Sequence, residues 1–246
     1  MQLPRLLLAA TLLIGVFKAQ AAPITFFGED LNGDPFSRIA FPNALAARSS
    51  FLGQLPASST DNLEGLTPGT LTPIALTFSG IFSATLTGGN SAVRSLTSGT
   101  DNFGEYPTSG NKYIATDSNA AVTITFSSAI TSFGFYGTDI GDFGNTRLNL
   151  VFSSATGSFT QPVNNTLGAG RNSSADGSVL FFGYINTANP FTSVQITSTS
   201  DSFGFDDPVI GVARLASTPE PGTLLLLGSA FLFVCPKALR ILNSRA

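Results

Sequence analysis

The chain has 246 residues, only 11% of them charged, with 25 Gly, 22 Phe, no His, no Trp and a single Cys at position 235. Imidazole bases, His-ligated metals, disulfides, thiolate zinc sites and cysteine nucleophiles are therefore excluded from the body of the protein. Between Ala22 and Pro221, seven basic residues face fifteen acidic ones, a net charge of −8 that repels phosphate backbones and leaves no nucleic acid among the expected partners.

In chain order, residues 1–21 have the three parts of a secretory signal: Arg5, the apolar run Leu6–Phe17, and the small-residue triplet Ala19-Gln20-Ala21, with cleavage after Ala21. A run of about a dozen apolar residues is short of the ~20 needed to span a bilayer, so this signal helix reads as a leader for the Sec export machinery rather than an anchor. Residues 22–60 read as an extended N-terminal segment with one strand and a short helix over 43–50.

From 61 to 216 the pattern is that of a β-domain. Apolar and polar residues alternate in ten segments: 74–78, 81–87, 113–116, 121–126, 132–136, 147–152, 158–163, 179–185, 193–197 and 208–214. In 121–126, Val122, Ile124 and Phe126 share one face while Thr123 and Thr125 share the other, the period of a half-buried strand. Ten strands at this spacing predict an all-β fold: an antiparallel two-sheet sandwich of jelly-roll type. The echo Ser-Phe-Gly-Phe at 132–135 and 202–205 predicts two core strands in which glycine lets aromatic rings pack closely.

Residues 217–246 are built differently. Pro219-Glu220-Pro221 precedes an apolar stretch that predicts a transmembrane helix over about 222–242, with Pro236 within it, and Lys237, Arg240 and Arg245 hold the terminus on the cytoplasmic side. A Pro-Glu-Pro motif followed by a hydrophobic helix and a basic end resembles the PEP-CTERM sorting signal of Gram-negative bacteria that make exopolysaccharide. The basic residues here are spread out, where that family has a tight arginine cluster. The resemblance implies an exosortase substrate: an inner-membrane-anchored intermediate, then a protein of the cell surface or extracellular matrix, with extracellular polysaccharide as a partner.

The segments 62–65, 133–144 and 181–211 are also similar to β-sandwich domains carried by PEP-CTERM proteins, which pair a Glu-Gly near the first strand with an Asp-Asp near the last. Their jelly-roll shape is similar to that of carbohydrate-binding modules. No cofactor is required by any motif, but calcium accepts oxygens from carboxylates, amides and carbonyls, all of which this chain supplies. Glu64, Asp206 and Asp207 are the candidate ligands of a structural calcium, the alternative being that Asp206 and Asp207 cap a turn before Pro208. Asp139-Ile140-Gly141-Asp142 reads either as a calcium loop or as an ordinary Asp/Gly turn. Tyr106, Tyr136 and Tyr184 are candidates for a sugar platform, against burial in the core.

The functional expectation is a non-enzymatic structural or adhesive protein acting with exopolysaccharide. The alternatives are a calcium-dependent carbohydrate-binding module and a glycoside hydrolase. Two carboxylates suffice for hydrolysis, but no Trp is present to stack a sugar ring.

Overall fold

The computed structural model describes residues 22–80, 82–116, 121–143, 147–169, 173–197 and 201–212. Residues 1–21, expected to be a signal, and 217–246, expected to be a sorting tail with Pro219, Glu220, Pro221, Lys237, Arg240 and Arg245, lie outside the described residues. Among the described residues, no helix is long and apolar enough to cross a membrane.

In chain order the elements are β1 (Ile24–Asp30), α1 (Pro42–Gly53), β2 (Ala57–Thr60), β3 (Ile74–Thr77), β4 (Ser83–Gly88), β5 (Ala92–Ser95) and β6 (Lys112–Thr116). They continue as β7 (Val122–Ile130), β8 (Ser132–Thr138), β9 (Asn149–Ser154), β10 (Gly157–Pro162), β11 (Val179–Ile185), β12 (Phe191–Thr197) and β13 (Phe203–Val212). Each of the ten segments expected from the alternation overlaps one of these strands.

The strands form two antiparallel sheets. One runs β1-β11-β8-β13-β6-β5, with β2 added along the second half of β13; the other runs β10-β9-β12-β7-β4-β3. Sequence period sets which face goes inward. In β7 the side chains of Val122, Ile124 and Phe126 are buried while Thr125 is exposed. Inward faces of both sheets meet in one apolar core, as a β-sandwich requires. Phe126 of β7 lies 5.9 Å from Phe133 of β8, and Phe152 of β9 stacks 4.3 Å from Tyr184 of β11, ring centre to ring centre.

Strands β8 and β11 are buried along their whole length, because the outer face of the first sheet is covered too. A second apolar cluster lies there, formed by Ala44 and Phe51 of α1 with Tyr136, Phe181 and Val209. The helix sits close because glycines leave room for it. Gly183 and Gly134 are directly opposite each other on β11 and β8, and a Cβ on Gly183 would fall 2.7 Å from the Phe51 ring. Pro42 opens the helix at a position where its missing N–H costs nothing. Asp30, at the end of β1, accepts hydrogen bonds from the Asn43 and Ala44 backbone N–H groups at 3.2 and 2.9 Å, capping the helix from another element.

Residues 22–60 are therefore not an extended segment ahead of the sandwich. β1 pairs with β11 over all seven of its residues, β2 extends the same sheet, and α1 covers it. The two Ser-Phe-Gly-Phe segments lie on neighbouring strands β8 and β13, where Phe135 and Phe205 stack at 5.2 Å.

Candidate functional site: a groove with an acidic end

Over β5 and β6, beyond the reach of α1, lies an open groove of about 920 Å³. Its lining includes Arg94 of β5 and Tyr113 and Ala115 of β6, together with residues of the loop 100–105. That loop is shaped by its own polar groups. Asp101 Oδ1 accepts hydrogen bonds from the Phe103 and Glu105 N–H groups at 2.8 and 3.1 Å, and the Asp101 N–H donates to the Glu105 carbonyl at 3.0 Å. Arg38 holds the start of the wall, donating to the Gly99 and Leu96 carbonyls at 2.6 and 2.9 Å. Two aromatic rings, Phe103 and Phe143, are 63% and 50% exposed on this lining, unusual for Phe in a domain that buries most of its rings.

One end of the groove is acidic. Asp139 and Asp201 both line it, and both are buried. Asp139 follows β8 at φ +63° and accepts a hydrogen bond from the Gly177 N–H at 2.7 Å. Asp139, Asp142 and Asp176 bring carboxylate oxygens within 4.8 Å of one another, all three side chains buried. Asp201 Oδ2 accepts from the Gly141 N–H at 2.5 Å, and its carboxyl is hydrogen-bonded to that of Asp142. Two carboxyl groups bond to each other only by holding a proton between them. Burial, and after it the charge of Asp142, pushes Asp139 up to about 10; burial and the bond to Asp142 push Asp201 up to about 9. Asp142 is raised as well, first by burial. The strongest charge effects on Asp139 and Asp201 come from other carboxylates: Asp142, Asp176 and Asp201 on the first, Asp142 and Glu105 on the second.

The other sequence candidates gather elsewhere, around the loop 106–112. Glu64 Oε1 accepts from the Asn111 and Lys112 N–H groups, both at 2.8 Å, and Lys112 Nζ donates back to the Glu64 and Leu66 carbonyls at 2.6 Å. Asp206 Oδ2 accepts from the Thr108 N–H and hydroxyl at 2.7 and 2.8 Å and from the Ser109 N–H at 3.1 Å, while Asp207 Oδ1 accepts from the Ser109 hydroxyl at 2.9 Å. A bulge between Asp206 and Val209 turns both aspartates towards that loop. Glu64 from one side and Asp206 and Asp207 from the other thus grip the same loop, and these carboxylate oxygens are taken by its N–H and O–H donors.

Of the two readings open for the three tyrosines, sugar platform or core, the structure has the core. Tyr106, Tyr136 and Tyr184 are 1%, 2% and 1% exposed, the first two under the outer cover of the first sheet and the third between the sheets. What the sequence reading missed is Asp176, Asp201 and the exposed rings of Phe103 and Phe143. Asp176 and Asp201 each stand singly in a Ser-rich loop shortly before a strand, and only the fold brings those loops to Asp142.

No family model matches the chain, and no curated protein matches it. Among solved structures, the CBM22-1 xylan-binding domain of Xyn10C from Paenibacillus barcinonensis aligns with a TM-score of 0.31 and 10% identity, covering 66% of this chain and 96% of that domain. A likeness of that size assigns neither a fold nor a ligand. The class defined by the sheets themselves is a β-sandwich protein with a helix-covered outer face and an open groove beside it.

Proposed function

We propose that this chain is an exported surface protein whose sandwich, of jelly-roll type, binds extracellular polysaccharide in the groove over β5 and β6 without cleaving it. Exposed Phe103 and Phe143 beside Asp101, Glu105 and Arg94 carry this reading. An apolar ring lies against the C–H face of a pyranose, and carboxylate and guanidinium groups bond its hydroxyls, the mix of apolar wall and few polar groups typical of ligand sites. The groove is open, which suits a polymer threading across it rather than a small molecule enclosed.

The jelly-roll reading rests on the strand order. β6-β13-β8-β11 in one sheet faces β7-β12-β9-β10 in the other, with the chain passing between sheets, as two Greek keys do. Binding without hydrolysis is favoured by the state of the acids at the groove's end. Hydrolysis needs one carboxyl free to donate a proton and a second to act as base or nucleophile. Burial and neighbouring carboxylates push Asp139 up to about 10 and Asp201 up to about 9, so near neutral pH both hold their protons and neither serves as the ionised base or nucleophile opposite the other. Export and surface delivery rest on the leader 1–21 and on Pro219-Glu220-Pro221 with the apolar and basic tail behind it, read as a PEP-CTERM signal for an exosortase.

Affinity electrophoresis of the purified full chain in gels containing neutral and acidic polysaccharides tests this. Retardation by at least one polymer, lost in Phe103→Ala/Phe143→Ala, and no new reducing ends on incubation are expected. Unretarded migration in every gel would overturn binding, and reducing ends that vanish in Asp139→Asn would make the protein a hydrolase.

A further inference from the structure

Asp142 is 1% exposed, and its Oδ1 has no hydrogen-bond partner among the described residues. Buried carboxylate oxygens are ordinarily paired, and one left over points to a positive partner. The Asp142 carboxylate belongs to the set in which Asp139 and Asp176 also place an oxygen within 4.8 Å. Three loops at the same end of the sandwich supply these acids: the one leaving β8, the one entering β11 and, through Asp201, the one entering β13. Thr138 pairs with both Val179 and Gly204, which fixes those strand ends side by side.

The acids are held by backbone contacts. Asp139 donates its N–H to the Ser178 carbonyl at 2.9 Å, Asp176 donates its N–H to the Ser173 carbonyl at 3.1 Å, and the Gly141 carbonyl accepts from the Gly168 N–H at 2.6 Å. Every donor atom available to a metal is oxygen, since the chain has no His and its one Cys is Cys235. Oxygen donors select hard cations, and a protein cage of several carboxylates drawn from irregular loops is the habit of Ca²⁺, whereas Mg²⁺ keeps most of its waters.

We propose that Asp139, Asp142 and Asp176, with Asp201 alongside, form a calcium site that ties the three loops together at the acidic end of the groove. The site goes beyond the polysaccharide reading and does not depend on it, because the ion is measured with no glycan present. The full chain, purified in detergent and stripped with EGTA, is titrated with CaCl₂ by equilibrium dialysis and thermal unfolding. One Ca²⁺ per chain is expected, with Tm raised by about 5–10 °C at a roughly hundredfold excess over Kd.

Asp176→Asn removes the shift, while Glu64→Gln, in the loop clasp, keeps it. Should Asp176→Asn not fold, hydrogen exchange of the unaltered chain decides: Ca²⁺ slows exchange in 139–142 and 173–178. No calcium binding, a shift that survives Asp176→Asn, or protection confined to 106–112 would overturn the proposal.

Discussion

The seat of Phe51 on a pair of glycines makes a quantitative prediction about the outer face of the first sheet. Phe51 is fully buried, with ring centres of Phe26 and Phe181 at 5.6 and 5.7 Å. Removing a buried Phe side chain costs about 3–5 kcal/mol in transfer free energy and residual cavity, so Phe51→Ala should lose that much stability. Gly183→Ala also destabilises, by crowding the ring rather than removing it. Its new Cβ would lie 2.7 and 2.9 Å from Phe51 Cδ2 and Cγ and 3.0 Å from Phe181 Cε1, overpacking that costs about 1–3 kcal/mol. In the double variant most of the clash is gone, because only the Phe181 contact remains.

The two changes should therefore be non-additive, the double variant being more stable than the sum of the singles by about 1 kcal/mol or more. Urea unfolding followed by circular dichroism measures all four proteins, with midpoints compared at constant m. Additivity within about 0.5 kcal/mol would refute the claim that the glycine pair exists to receive the ring.

The cap on α1 gives a second prediction: Asp30→Ala should cost about 0.5–2 kcal/mol and speed amide exchange in 42–53 while leaving β7 and β12 unchanged. Asp206 gives a third, in pH. Burial, then the charge of Asp207, raises its carboxyl from 3.8 to about 7, so the folded state holds a proton that the unfolded chain has released. Its contribution to stability is full below pH 3.8 and falls as pH rises to about 7, by up to about 4 kcal/mol if the whole shift is expressed. Asp206→Asn should flatten the fall in unfolding free energy between those pH values; a slope equal to that of the unaltered protein would contradict the assignment.

What could be read in advance follows from what each signal encodes. Alternation located β7, β9 and β12, where one face is covered and the other is wet. β2 and β5, four residues each at sheet margins, carry no apolar alternation, and β1 places Phe26 against the helix but leaves Phe27 at the surface. Period also cannot say whether an outward face is covered. Tyr136 looks like a surface ring until α1 is laid over it.

The acid candidates divided the same way. Asp139 and Asp142 stand out because they share one turn, but Asp176 and Asp201 reach them only through the pairing of β8 with β11 and β13. Glu64, Asp206 and Asp207 grip one loop, and the N–H and O–H donors of 108–112 that occupy them leave no mark on the sequence.

Hydrogen exchange of the full chain with and without the extracellular polysaccharide of its own cells tests the central claim most directly. Slowed exchange is expected in 94–105 and 139–143, the walls of the groove, and none in β3 or β10 on the far sheet. Protection absent altogether, or confined to the far sheet, would contradict it.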